Sequence, residues 1–207
     1  MFVERAQNQI DQINAFSLKR FPLLKAFRRL KEGDIPGGTT GLSKEAVMAY
    51  AAELYRIDGL ISYDRAKLFG AVVNSFSSAQ KANMDALKAL NGIGNWDSSL
   101  SNPLEGLNLP QDVNVAVSTE LRKFLASQTA DSSSVIALSE RYGELDGEIS
   151  YYYATTFSQV YNTLSDEQKT KLAGLADQLG YIHPTGAFQY SQPIAMPEIM
   201  NTDFMFK

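Results

Sequence analysis

Apolar residues recur at helical spacing along two long stretches of this chain. Val47, Tyr50, Leu54, Ile57, Ile61, Leu68 and Val72 fall three, four or seven residues apart, the spacing of one helix face. Leu138, Tyr142, Leu145, Ile149, Tyr152 and Val160 repeat the pattern, and no proline interrupts either stretch. The spacing predicts a helix over 43–75, about 50 Å long at 1.5 Å per residue, and a counterpart over 132–163. Paired helices of that length suit a bundle or an extended hairpin.

The two stretches are copies of one another. Residues 58–87 and 146–175 align without a gap at a shift of 88, and 13 of the 30 positions are identical. Chance would give about two. Upstream, Glu53-Leu54-Tyr55 resembles Glu140-Arg141-Tyr142, which adds one residue before Asp146. One added residue in a helix can be absorbed as a π-bulge. Each copy then carries a capping box: Ser77 with Gln80, and Ser165 with Gln168. The serine oxygen accepts from the glutamine amide, and the glutamine side chain reaches back to the serine amide. Shorter helices over 81–90 and 169–179 follow, ended by Gly92 and Gly180. The expected organisation is all-α: an N-terminal amphipathic helix at 1–23, repeat one at 24–91, a linker at 92–117, repeat two at 118–179, and a tail at 180–207. Each repeat is a long helix and a shorter one, and the two pack as an elongated bundle. Pro184, Pro193 and Pro197 make the tail extended rather than helical, with Phe204, Met205 and Phe206 docked in an apolar groove.

Composition removes most enzyme chemistry. The 207 residues hold no cysteine and one histidine, His183. Disulfides, thiolate metal sites, cysteine nucleophiles and paired-histidine metal motifs are thereby excluded. A net charge of −4 argues against nucleic acid as the main partner. No apolar run reaches the length of a membrane span. The glycines at 37, 38 and 41 form no phosphate loop, and Ser132 to Ser134 read as a helix start. His183 with Met196 and Met200 forms only a weak copper pattern. No cofactor is expected, and the reading is non-enzymatic.

The segments Phe76-Ser77-Ser78-Ala79-Gln80 and Leu164-Ser165-Asp166-Glu167-Gln168 resemble the LTxxQ motif of the Spy/CpxP family of periplasmic stress proteins. Both have serine where the motif has threonine, and the first has phenylalanine for leucine. The resemblance implies an elongated helical hairpin fold, dimerisation in many members, and ATP-independent chaperoning or envelope-stress sensing. It also implies a periplasmic or secreted location after removal of a signal peptide, since the opening MFVERAQNQIDQINAF is not one. The implied partners are protein clients or a second copy of the chain. The segment around 141–154 is also similar to uncharacterised exported bacterial proteins that carry the element twice.

The candidate site residues are those retained between the copies without an evident packing reason. They are Asp58, Ser62 and Tyr63, matched by Asp146, Ser150 and Tyr151, together with the glycines at 59 and 147. If the copies are related by a twofold axis, the two Asp–Ser pairs face each other where the long helices cross. The structural reading has serine and aspartate hydrogen-bonding across that crossing while glycine admits the backbones. The alternative is a metal- or small-ligand-binding sensor in which Asp58 and Asp146, with Glu144 or Glu148, supply oxygen donors to a hard cation. Tyr151, Tyr152 and Tyr153 fan over about 200° of helix, which turns Tyr152 into the core and Tyr151 away. Tyr63 and Tyr151 then suit an interface.

Overall fold

The computed structural model describes residues 2–90, 110–178, 187–189, 192–194 and 199–207. It is all-α in class. Seven helices are seen among the described residues: α1 (Phe2–Lys19), α2 (Phe21–Glu32), α3 (Lys44–Asn74), α4 (Ser78–Leu90), α5 (Pro110–Arg122), α6 (Ser132–Thr163) and α7 (Asp166–Gln178). A 3-10 turn, Lys123–Ala126, extends α5. A short antiparallel hairpin pairs β1 (Ala187–Gln189) with β2 (Gln192–Ile194), with Ala187 opposite Ile194. Of the expected linker over 92–117, residues 92–109 lie outside the described residues and 110–117 are the start of α5; the helix-ending glycines 92 and 180, and His183, Pro184, Met196 and Pro197, also lie outside them.

Local chemistry sets the boundaries. Pro22 lies in the first turn of α2, where its missing N–H is harmless, so two helices stand where one was expected over 1–23. Gly33 ends α2 at φ 75°, with the Gly33 amide donating to Leu30 and the Asp34 amide to Arg29, a Schellman closure. Ser43 caps α3 by accepting from the Ala46 amide at 3.2 Å. Asp131 caps α6 by accepting from the Ser133 and Ser134 amides and hydroxyls. These bonds, led by Ser134, hold its carboxyl below the ordinary range. Both capping boxes form: the Ser77 amide donates to Gln80 at 2.9 Å and the Gln80 amide to Ser77 at 3.3 Å. The second copy gives 2.8 and 3.2 Å. α4 shifted by 88 gives the bounds of α7.

The chain divides into two compact units, residues 1–54 with 146–207, and residues 55–145. The core of the first unit is Ala26, Leu42, Val47, Met205 and Phe206, with Leu30, Tyr50 and Tyr151 packed around it. The C-terminal segment therefore supplies two of its five central side chains. Leu42 and Phe206 form an antiparallel bridge, and the Ser43 amide donates to Met205 at 2.7 Å. Charges on α2 hold the same segment. Lys25 donates to the Ile199 carbonyl at 3.1 Å. Arg29 donates to Asp34 at 2.8 Å, Asp203 at 2.7 Å and Thr202 at 3.1 Å, and its guanidinium lies 5.0 Å from the Phe206 ring centroid.

The second unit buries Ile61, Val113, Phe124, Ala130 and Val135. Phe124 is delivered by the 3-10 turn. Its ring meets Tyr63 edge-on at 5.4 Å, and its carbonyl accepts from Asn74 at 2.8 Å. A Cβ on Gly70 would lie 2.7 Å from the Phe124 Cβ and 2.8 Å from its carbonyl oxygen. Glycine is what lets α3 approach that turn.

Candidate functional site

The matched glycines are contact points, and both make the same contact. A Cβ on Gly59 would fall 2.7 Å from the Ser139 hydroxyl and 3.5 Å from the Ile136 Cα. A Cβ on Gly147 would fall 2.8 Å from the Ala51 Cβ and 3.0 Å from the Met48 Cα. Adding 88 to 48 and 51 gives 136 and 139, so the contact in one unit is the copy of the contact in the other. The register of 88 thus runs back to the starts of both long helices. α6 is uninterrupted α-helix over its 32 residues, so no residue is absorbed there as a π-bulge. Each glycine meets the opening turns of a long helix within its own unit.

The candidate ligand residues are divided between the two units. Asp58, Ser62 and Tyr63 belong to the second unit, and Asp146, Ser150 and Tyr151 to the first. Asp58 is half-buried, and burial raises its carboxyl above the ordinary range, partly opposed by Arg65. The Tyr63 hydroxyl points to the Ala130 carbonyl at 3.5 Å. Among the described residues, no three Asp, Glu or His side chains gather where they could hold a metal ion.

The tyrosine expectation is reversed. Tyr151 packs on the core of the first unit, whereas Tyr152 is 52% exposed. Gly147 supplies the reason. Its contact fixes the inward side of α6, and at 100° per residue Tyr151 lies about 40° from it and Tyr152 about 140°. Buried positions along α6 include Val135, Ser139, Gly143, Gly147 and Ser158. The small side chains pack, and the larger apolar stripe at Ile149, Tyr152 and Val160 is more than two-fifths exposed. Tyr152 is held instead by Lys44, which donates to its hydroxyl at 3.1 Å and lies 5.0 Å from its ring centroid. Lys44 also pairs with Glu148, the main cause of its raised pKa.

That phase leaves an aromatic face. Tyr153, Phe157 and Tyr161 recur every four residues on α6. Tyr153 is 74% exposed and Phe157 52%, and Phe157 stacks on Tyr161 at 6.0 Å. Lys31 and Lys169 lie 5.2 and 5.3 Å from the Tyr161 ring centroid. With Phe27, Arg28 and Lys31 of α2, the residues Ser150, Tyr153, Ala154 and Phe157 line an open groove of about 490 Å³. It is apolar along the floor and cationic at the edge. The sequence contained the i, i+4, i+8 aromatic spacing, but the phase that exposes it follows from the Gly147 contact.

No helix among the described residues is long and apolar enough to cross a membrane. Comparison with protein-family models, curated proteins and solved structures finds no match to this chain.

Proposed function

We propose that the protein is a non-enzymatic binding protein of the chaperone type, which holds apolar, acidic segments of unfolded clients on the α2–α6 groove. The observation that carries this reading is the aromatic row of exposed Tyr153 and Phe157 and half-buried Tyr161 beside Arg28, Lys31 and Lys169. Aromatic side chains give contact area at low entropic cost, and cations at the edge favour acidic flanks. The chain as a whole is acidic, at −4, so a local cationic edge gives clients a preferred face. The resemblance at 76–80 and 164–168 adds an envelope location and self-association to the proposal.

Reduced insulin is a suitable client, because this chain has no cysteine for the reductant to attack. Stoichiometric protein should delay its aggregation. Tyr153→Ser with Phe157→Ser should abolish the delay while leaving the melting temperature within about 2 °C, since exposed substitutions have small effects. Full protection by that double variant would refute the groove as the client site.

A further inference from the structure

We propose that the cleft between α6 and the 33–42 loop of the first unit binds a neutral sugar of one or two rings. Thr155, Ser158, Gln159 and Asn162 are spaced i, i+3, i+4 and i+7, so they share one helix face and line the cleft together. The opposite wall carries the apolar side chains Leu30, Ile35 and Leu42. The space is about 470 Å³, within the range of small-ligand sites.

The hydrogen-bonding inventory points to the ligand. Thr155 already donates to the Tyr151 carbonyl at 2.8 Å, and Thr40 to the Lys207 carbonyl at 3.1 Å. The side chains of Ser158, Gln159 and Asn162 enter no hydrogen bond among the described residues. Ser158 is only 5% exposed and lines both this cleft and the α2–α6 groove. An apolar ligand would leave these groups unsatisfied. Among the described residues no Asp or Glu side chain lines the cleft, and the ammonium of Lys207 is engaged by Glu45 at 3.3 Å, so the side chains offer a highly charged ligand no free counter-ion. A pyranose ring matches both walls: its hydroxyl edge meets the serine and the two amides, and its C–H face meets Leu30, Ile35 and Leu42.

Isothermal titration of the full chain with cellobiose and with N,N′-diacetylchitobiose tests this, with tetra-alanine as the peptide comparison. At least one sugar should bind saturably, tighter than about 10 mM. Gln159→Ala with Asn162→Ala should weaken it at least fivefold; both side chains are exposed, so the fold should persist, as an unchanged melting curve would verify. Tyr153→Ser with Phe157→Ser should leave sugar binding unchanged, which keeps this site distinct from the client groove. No heat with either sugar at about 20 mM, equal affinity in the amide variant, or tetra-alanine binding in preference to both sugars would overturn the proposal.

Discussion

The two units solve one packing problem with different material. At the shift of 88, Leu42 corresponds to Ala130, Val47 to Val135 and Tyr151 to Tyr63. In the first unit Leu42, Val47 and Tyr151 pack with Met205 and Phe206, which lie about 160 residues from Leu42 and Val47 but far nearer Tyr151 in the chain. In the second, Phe124 meets Tyr63 near the buried Ala130 and Val135, and it comes from the turn just before α6. A repeated helix presents the same patch twice, and any apolar group that reaches the patch can cover it. Against the start of its long helix the local plug closes a short loop, whereas the distant one closes a long loop and carries the larger entropic cost. The α2 charges Lys25 and Arg29 grip the distant plug, whereas Asn74 holds the carbonyl of the local one.

Removing the distant plug should have the largest effect. A chain ending at residue 200 loses Met205 and Phe206 from the core and leaves Arg29 without Asp203. Burial of two such side chains is worth about 3–6 kcal/mol before ordering costs. Chemical denaturation should show that loss, with amide exchange accelerated at Val47 more than at Val135. Equal acceleration at both would mean that the units unfold as one.

Overpacking the local plug should come next. Gly70→Ala forces a Cβ onto Phe124 and should cost about 1–3 kcal/mol. The equivalent position in the first unit is Ser158, which already carries a side chain, so Ser158→Ala should cost less. A melting temperature unchanged by Gly70→Ala would show that the turn yields. Loss of either capping serine, Ser77→Ala or Ser165→Ala, should cost about 1 kcal/mol. The two boxes share their geometry, so near-equal losses are expected in thermal melts.

The smallest effect is in pH dependence, where the units should respond with opposite sign. Asn201 and then Arg29 hold the Asp203 carboxyl below its ordinary range. Its contribution to the first unit is complete above the unfolded carboxyl pKa of about 4 and is lost as pH falls through the lower folded value. Asp58 is raised by burial, so its ionisation opposes folding at neutral pH, and acid relieves that cost. Asp58→Asn should therefore raise the melting temperature slightly at pH 7, with the gain vanishing below about pH 4. A gain that persists unchanged at pH 3 would assign the effect to something other than ionisation.

The sequence alone determined the long helices, their caps and the internal copy, because these depend on neighbours within a few residues. The expected helix over 132–163 has the observed bounds, and both serine–glutamine boxes form as their spacing required. The sequence also marked Gly59 and Gly147 as close approaches, since two matched glycines inside helices ask for a reason. It misplaced what they approach, and with it the inward side of α6. Hydrophobicity counts Ile149, Tyr152 and Val160 as core. Steric fit at Gly147 instead turned the small residues inward and set the larger ones toward solvent. The grip of Lys25 and Arg29 on the C-terminal segment, the aromatic groove and the hydroxyl–amide cleft likewise have no local signature. Each joins residues distant in the chain, and only the closure of the fold, with its exclusion of every side chain that does not fit, brings them together.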